Sequence, residues 1–201
     1  MPSPLRLAVA VAMATVLPAR AADAAAQAHP SSVAPDEIRH IQSISPRSGP
    51  SGTLVSVSTL NLPYQARVHV GIGAVRDGFE ALTEAEQGRW GEIAVRVQVP
   101  ETTSWERAIV FVAFNANFAP IGMSDPFHVT DEDGRVSRSG TLVFEAGECP
   151  MLEDEDGYLY ELTGTVDHLR SGDAADVVGV FFEAGPCTGG PTIGVETVNV
   201  R

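Results

Sequence analysis

The chain has 201 residues, enough for one large or two small domains. Hydrophobic residues make up 44% of it, which excludes wholesale disorder. A formal net charge of −13 repels phosphate backbones and anionic lipid surfaces, and the thirteen basic residues, all arginines, are scattered along the chain, so nucleic acid is excluded as an expected partner.

The N-terminus has the three parts of a signal peptide. Arg6 gives the positive start, residues 7–17 are apolar but for one threonine, and Ala19 and Ala21 are the small residues that a signal peptidase reads. The apolar run is too short for a bilayer, which needs about 20 apolar residues. We therefore predict that residues 1–21 are a signal peptide, that the mature chain is secreted or periplasmic, and that it has no stable membrane insertion after cleavage.

Residues 22–37 are rich in Ala, Pro and Ser, carry no strand pattern, and are predicted to be a flexible lead-in. Strand signals begin after them. The first predicted turn contains Pro46, Gly49, Pro50 and Gly52. Proline fixes φ and glycine permits a positive φ, so these four residues define the turn by their chemistry.

Short runs of alternating apolar residues then predict strands that each bury one face. The runs are 53–59, 68–72, 93–99, 108–114 and 126–130. The run 108–114 is apolar on both faces, so we expect a central strand that is covered on both sides. Only residues 79–87 have a pattern that could form a helical turn or two.

Five short motifs punctuate these strands: Ile44-Ser45-Pro46, Ser48-Gly49-Pro50, Gly52-Thr53, Val99-Pro100 and Phe127-His128-Val129. Their order resembles the IPT/TIG domain, a small immunoglobulin-like β-sandwich, over about residues 38–130. The family commonly has Gly and then Asn-Phe after the second strand, where this chain has the segment 59–62. The resemblance implies a binding, spacer or dimerising module without catalytic residues.

Residues 131–140 are polar and turn-rich and are predicted to be a linker to a second unit, residues 141–201. Four further β runs follow, at 141–145, 157–163, 175–183 and 192–200. The last two are expected to pair, because strong turn residues lie between them.

The second unit contains one pattern of residues at defined spacings. It consists of Gly147-x-Cys149-Pro150, Asp156-Gly157-x-x-Tyr160-x-Leu162-x-Gly164, Gly172-Asp173, Cys187 and Thr192-Ile193-x-Val195. The pattern resembles an uncharacterised domain of exported bacterial proteins, for which we expect an OB-like barrel. That resemblance implies no function.

The predicted export indicates a structural role for the two cysteines. In an oxidising compartment Cys149 and Cys187 are predicted to form a disulfide. Closing a loop of about 38 residues contributes about 3–4 kcal/mol in the chain-entropy treatment. A zinc site is the alternative, and it is disfavoured because the cysteines are far apart and only His168 lies near them in sequence.

No set of side chains predicts catalysis. The histidines stand alone without zinc-site spacing, and the Gly-x-Ser-x-Gly motif of serine hydrolases is absent. They are His29, His40, His69, His128 and His168. We expect His69 and His128 to be solvent-facing residues of strands.

Two features leave ligand binding open. The acidic runs 131–134 and 153–157 end in glycine as calcium loops do, but they lack carboxylates at the first and twelfth loop positions, so solvated turns are expected and only weak calcium binding stays open. Tyr158 and Tyr160 share one face of a strand. If exposed, that face could stack on sugar rings, but barrel core is favoured because so small a domain needs its aromatics inside.

The sequence therefore predicts an all-β protein: an immunoglobulin-like β-sandwich followed by a small, disulfide-tied, OB-like β-barrel. The expected function is that of a non-enzymatic binding or interaction module of the bacterial envelope or the extracellular space. It would need no cofactor and would bind an unknown protein or carbohydrate partner. The alternative is an accessory protein that binds carbohydrate or calcium through the barrel or its acidic loops.

Overall fold

The computed structural model describes residues 38–63, 65, 67–74, 78–144, 148–166 and 169–201. The predicted signal peptide and lead-in, with His29 and His168, lie outside these residues. The described residues contain fourteen strands and no helix, so none of them forms a helix that could span a bilayer. The strands are Arg39–Ile41 (β1), Ser43–Ser45 (β2), Ser48–Pro50 (β3), Leu54–Thr59 (β4), Arg67–Ala74 (β5), Gly78–Glu86 (β6), Ile93–Gln98 (β7), Ala108–Phe114 (β8), Pro120–Thr130 (β9), Arg135–Val143 (β10), Met151–Asp154 (β11), Leu159–Gly164 (β12), Ala174–Phe182 (β13) and Thr192–Val200 (β14).

Strands β1 to β9 form an immunoglobulin-like sandwich, as predicted. One sheet has the order β1-β9-β8-β5-β6, with β3 also paired to β9, and the other has the order β2-β4-β7. The chain changes sheets twice near its start, because β1 and β3 pair in parallel with β9 while β2, between them, pairs with β4.

The sandwich core lies between the two sheets, where the alternating apolar residues of each strand meet. Val55 and Val57 of β4 and Val97 of β7 are buried there. They belong to the same cluster as Phe111 and Phe127, whose rings meet edge to face with centroids 6.0 Å apart. The alternation read from these strands is therefore confirmed.

Strand β8 is buried along its whole length, which confirms the predicted central strand. The face that points away from the sandwich core carries Val110 and Val112. Phe79 and Met123 cover that face from the same sheet, and Tyr158 covers it from the second unit. The sandwich therefore has a second apolar surface, on which the barrel packs.

Residues 79–87, whose pattern left a helical turn or two open, form no helix. The segment forms β6, which pairs antiparallel with β5 across a bulge at Val70 and Gly71. A Cβ at Gly71 would lie 1.8 Å from the Glu80 carbonyl oxygen, so only glycine permits this approach of the two strands. Pairing with β5 and burial of Ala85 outweigh the helix propensity of the local Glu and Ala residues.

The four residues of the first predicted turn occupy three different local structures. The Ser45–Pro46 peptide bond is cis, Gly49 and Pro50 belong to β3, and Gly52 alone lies in a tight turn, with a φ of +84°. Thr53 closes this turn with two hydrogen bonds to the Pro50 carbonyl, from its amide at 3.1 Å and from its hydroxyl at 2.6 Å.

Replacing Gly52 with Val should lower the free energy of unfolding by about 1–3 kcal/mol, because a β-branched residue is strained at this positive φ. Denaturant melts of the mature chain measure the effect. Ser51→Val changes the neighbouring residue of the same turn, whose φ is not positive, and should have little effect. Wild-type stability of the Gly52 variant would show that the turn tolerates a side chain.

Strands β10 to β14 close into the predicted small barrel, in the order β10-β11-β12-β14-β13 with β13 returning to β10. All neighbours are antiparallel except β12 and β14, which is the connectivity of an OB-like barrel. The expected pairing of β13 with β14 is confirmed. Strand β11 was not predicted. The predicted Cys149–Cys187 disulfide is confirmed, and its Cα atoms lie 6.4 Å apart.

The two units are joined by a tight turn, which corrects the predicted linker at 131–140. Strand β10 begins at Arg135, inside that segment. The Asp131 carboxylate oxygen Oδ1 accepts hydrogen bonds from the amides of Asp133 and Arg135, at 2.9 and 2.8 Å, and Gly134 has a φ of +79°. Residues 131–134 are therefore the whole connection between β9 and β10.

Candidate functional site at the junction of the two units

A buried polar network joins the sandwich to the barrel. Its centre is Arg138 of β10, which is 1% exposed. The guanidinium donates from Nε to the Tyr160 hydroxyl at 3.1 Å, and from Nη1 to the carbonyls of Trp105 and Ser137, both at 2.7 Å. Trp105 lies in the loop before β8, so one side chain of the barrel clamps a loop of the sandwich. The Nη2 atom has no hydrogen-bond partner among the described residues.

The Tyr160 hydroxyl connects Arg138 to two further groups. It donates to Asp154 Oδ2 at 3.3 Å and lies 3.4 Å from Nδ1 of His128. Burial raises the pKa of Tyr160, although the neighbouring Arg138 lowers it. The hydroxyl therefore stays protonated and remains a hydrogen-bond donor in the network.

His128 lies at the sandwich end of this network, where its ring stacks on Phe181 of β13 with centroids 4.3 Å apart. The residue is 3% exposed, so the expectation that it faces solvent is wrong: the barrel covers that face of β9. Burial, together with the charges of Arg138 and Arg47, lowers the pKa of His128 to about 3. The imidazole is therefore neutral near neutral pH.

The neutral state of His128 predicts that stability falls with acidification. In the unfolded chain the imidazole binds a proton below its ordinary pKa of 6.5, whereas in the folded chain it does so only near 3. The unfolded state thus gains protons first, and the free energy of unfolding should drop by about 2 kcal/mol between about pH 8 and about pH 5. Above the unfolded pKa the full stability is retained.

Denaturant melts at several pH values in this range measure the slope of the free energy of unfolding against pH. His128→Phe should abolish the part of that slope that His128 contributes, while keeping the stack on Phe181. The charged groups facing His128 are Arg138 and Arg47, and both are present in the variant. Asp154, whose pKa burial raises, acts in the opposite sense at the acid end and does so in both proteins. His40→Phe, at an exposed site, is the matched control. An identical slope in wild type and His128→Phe would contradict the assignment.

A groove runs along the junction beside His128. It consists of two adjoining cavities of about 360 and 240 Å³, which share Arg47 and Asp125 on their walls. The larger is also lined by Pro126, His128, Phe181, Glu183, Gly189, Gly190 and Pro191, and the smaller by Ile41, Gln42, Ser43 and Ile44. We call these cavities together the junction groove.

The change of sheets at the start of the sandwich produces one half of the junction groove. β1 and β3 both pair with β9, but the chain between them leaves to form β2 on the other sheet. The Arg47 guanidinium bridges this gap to the Asp125 carboxylate, and Nε2 of His40 lies 3.9 Å from the same carboxylate. An ion pair therefore lies at the middle of the groove.

The loop 183–191 forms the opposite wall, and two anchors hold it. One is the disulfide, which ties Cys187 to Cys149. The other is Glu161 of β12, fully buried, whose carboxylate accepts hydrogen bonds from the amides of Cys187 and Thr188 at 3.1 and 2.9 Å. Burial raises the pKa of Glu161, but these hydrogen bonds outweigh it and hold the pKa below its ordinary value.

The same three residues come close enough to suggest a metal centre. The ligand atoms of Cys149, Glu161 and Cys187 all lie within 4.8 Å of one another. Both sulfurs are bonded to each other, however, and the carboxylate is occupied by the loop amides. In the disulfide form this cluster is a structural anchor.

The residues predicted as a ligand face lie elsewhere. Tyr160 is fully buried in the barrel core and Tyr158 is half-buried against both units, so neither ring offers an exposed stacking surface. In the acidic runs, the Oδ1 atoms of Asp131 and Asp154 each accept two backbone amides of their own turns. These two carboxylates close the turns in which they lie.

Sequence reasoning missed the residues that the structure brings together at the junction. Arg138 and His128 each stand singly within a strand pattern, and an isolated charged or polar residue there is normally solvated. Arg47 and Phe181 lie in different units. No periodicity or spacing relates such residues, so the sequence carries no signal for the groove beyond the existence of two units.

A second exposed feature lies at one end of the sandwich. Trp90 is 71% exposed and Leu60 is 66% exposed, in loops joined by a hydrogen bond from the Leu62 amide to the Gly91 carbonyl. The Arg89 guanidinium lies 4.8 Å above the Trp90 ring. This end therefore exposes two large apolar side chains on adjoining loops.

Comparison with known proteins gives no match: no family model fits the chain, and neither a curated protein nor a solved structure is similar to it.

Proposed function

We propose that the chain is a non-enzymatic binding module, exported to the periplasm or the extracellular space, that binds its partner in the junction groove. The observation that carries the proposal is the two-sided construction of the groove. Arg47 and Asp125 of the sandwich face Phe181 and Glu183 of the barrel. Concave sites between units, with an apolar surface and a few convergent polar groups, are the usual place for ligands.

The junction is built to keep the groove in shape. The connection between the units is a four-residue turn, and Arg138 clamps the Trp105 loop from the barrel. A site whose walls are already fixed loses little conformational freedom on binding, which favours affinity. The resemblance of residues 38–130 to IPT/TIG domains supports a binding role.

An accessory protein that binds carbohydrate or calcium is the second candidate. Calcium receives little support, because Asp131 and Asp154 use their carboxylates to close turns. Carbohydrate receives more, because the groove combines the Phe181 ring with carboxylates and a guanidinium.

Export is supported by the Cys149–Cys187 disulfide, since such bonds persist in oxidising compartments. The mature chain should begin near Ala22, after the small residues that a signal peptidase reads. N-terminal sequencing of protein exported by a bacterial host tests this. An intact Met1, or a chain retained in the cytoplasm, would contradict export through this signal.

Site-specific photo-crosslinking in the native envelope tests the binding site. A photoreactive residue that replaces Glu183, on the groove wall, should give defined adducts identified by mass. The same residue in place of Glu80 should give none, because β6 lies at the edge of the sheet opposite β1. Adducts from position 90 and none from position 183 would move the binding site to the sandwich end and overturn the proposal.

A further inference from the structure

The junction groove is lined by hydrogen-bonding groups of both kinds, donors and acceptors. The Arg47 guanidinium offers donors only, whereas the carboxylates of Asp125 and Glu183 offer acceptors only. Beyond the ion pair, Gln42 offers both kinds. A ligand that uses all of them must both donate and accept hydrogen bonds, and every hydroxyl group can do both.

The larger cavity also has an apolar floor. Phe181 is stacked on His128, which is held neutral by burial and so adds no charge behind the ring. Pro126 and Pro191 continue the apolar surface on the two walls. A ligand with one C–H face and a rim of hydroxyls matches this floor, since an aromatic ring packs on flat apolar faces.

The charges of the groove discriminate among ligand classes. Asp125 and Glu183 outnumber Arg47, and the whole chain carries −13, so phosphate, sulfate and uronate ligands are repelled. A compact cation would be attracted to Glu183 but repelled by Arg47, which is already paired with Asp125 at the centre of the groove. A neutral ligand avoids both penalties.

We propose that the junction groove binds a neutral oligosaccharide, with a sugar ring on Phe181 and hydroxyls hydrogen-bonded to Arg47, Asp125 and Glu183. This assignment rests on the proposed function, and it names the class of ligand. The two cavities together have the volume of an ordinary small-molecule site, about 300–1,000 Å³.

Calorimetric titration of the disulfide-bonded mature chain tests the assignment. The neutral probes are cellohexaose, maltohexaose, laminarihexaose and mannohexaose. An oligogalacturonate of the same length is the anionic probe, and hexalysine is the cationic one. At least one neutral probe should bind, and it should bind more tightly than either charged probe.

Adjacent phenylalanines on β13 provide a matched pair of variants. Phe181→Leu removes the ring in the groove while keeping apolar bulk, and should weaken binding about tenfold. Phe182→Leu changes the next residue, which is 50% exposed and lies on the opposite face of the strand, and should leave binding unchanged. Glu183→Ala, at an exposed wall position, should weaken binding about three- to tenfold without disturbing the core.

Three results would overturn the assignment. They are no binding of any neutral probe up to about 10 mM, tighter binding of a charged probe, or equal losses in the Phe181 and Phe182 variants. Protein adducts from position 183 combined with no saccharide binding would leave the proposed binding function standing and remove only the saccharide. Saccharide binding that is weakened about three- to tenfold in Glu183→Ala supports both.

Discussion

Removing the Cys149–Cys187 bond should lower the free energy of unfolding by about 3–4 kcal/mol. The bond closes a loop across a sequence separation of 38 residues and joins the β10–β11 connection to the β13–β14 connection. Without it the loop 183–191 keeps only the Glu161 anchor. Denaturant melts of wild type and of a Cys149→Ser, Cys187→Ser variant, each with and without reductant, measure the loss.

The structure extends this effect beyond the barrel. From sequence alone the sandwich is expected to be indifferent to reduction, because it contains no cysteine. Tyr158 of the barrel, however, covers Val110 and Val112 of β8, so opening the barrel uncovers apolar surface of the sandwich. We therefore expect reduction to loosen the junction as well.

Limited proteolysis with trypsin locates the loosening. Arg138 is buried in the junction, so trypsin should cut after it only in the reduced sample. Arg170 lies in an exposed loop of the barrel, so trypsin should cut after it more readily than after Arg138, both with and without reductant. The serine variant should give the reduced pattern without reductant. Two titratable thiols in the native exported protein, or equal stability with and without the bond, would contradict the prediction.

The strands that the sequence predicts well are those whose burial is set locally. Alternation at 53–59 and 93–99 and the doubly apolar run at 108–114 leave one way to bury the side chains, and the structure adopts it. The disulfide was predictable for a different reason, since two cysteines that follow a predicted signal peptide have few other expected roles.

The strands that the sequence predicts badly are those that depend on a partner. Residues 79–87 are rich in Glu and Ala, yet they form β6 because they pair with β5. Residues 135–140 resemble a linker and become the first two thirds of β10 because β13 pairs with them along their length. Long-range pairing overrides local propensity in both segments.

The candidate site depends on long-range pairing even more strongly. Arg47 and Asp125 are 78 residues apart, and they meet only because β1 and β3 both pair with β9. Phe181 reaches His128 because β13 closes the barrel against β10, which follows β9 through a tight turn. Topology assembles this site, so the composition of any one segment does not reveal it.

Replacing Arg138 with Ala should destabilise the protein by about 3–5 kcal/mol, the largest effect we expect from a single side chain. The change removes the hydrogen bonds that Arg138 donates to the part-buried Trp105 carbonyl and to the Tyr160 hydroxyl, and it opens a cavity. Arg138→Met fills most of that space but restores no donor. The loss common to both variants therefore measures the hydrogen bonds, and the difference between them measures packing.

Arg135 of the same strand is the matched control, because its guanidinium pairs with Glu196 and Asp133 at the surface. Exposed ion pairs of this kind contribute about 0–1 kcal/mol, so Arg135→Ala should be nearly neutral. The fluorescence of Trp105, measured in a Trp90→Phe background, reports the junction directly, since the chain has two tryptophans. Arg138→Ala should shift the Trp105 emission toward that of exposed tryptophan in native conditions, because the loop it clamps is released. Stability within about 0.5 kcal/mol of wild type, with unchanged emission, would show that the remaining contacts hold the two units together without Arg138.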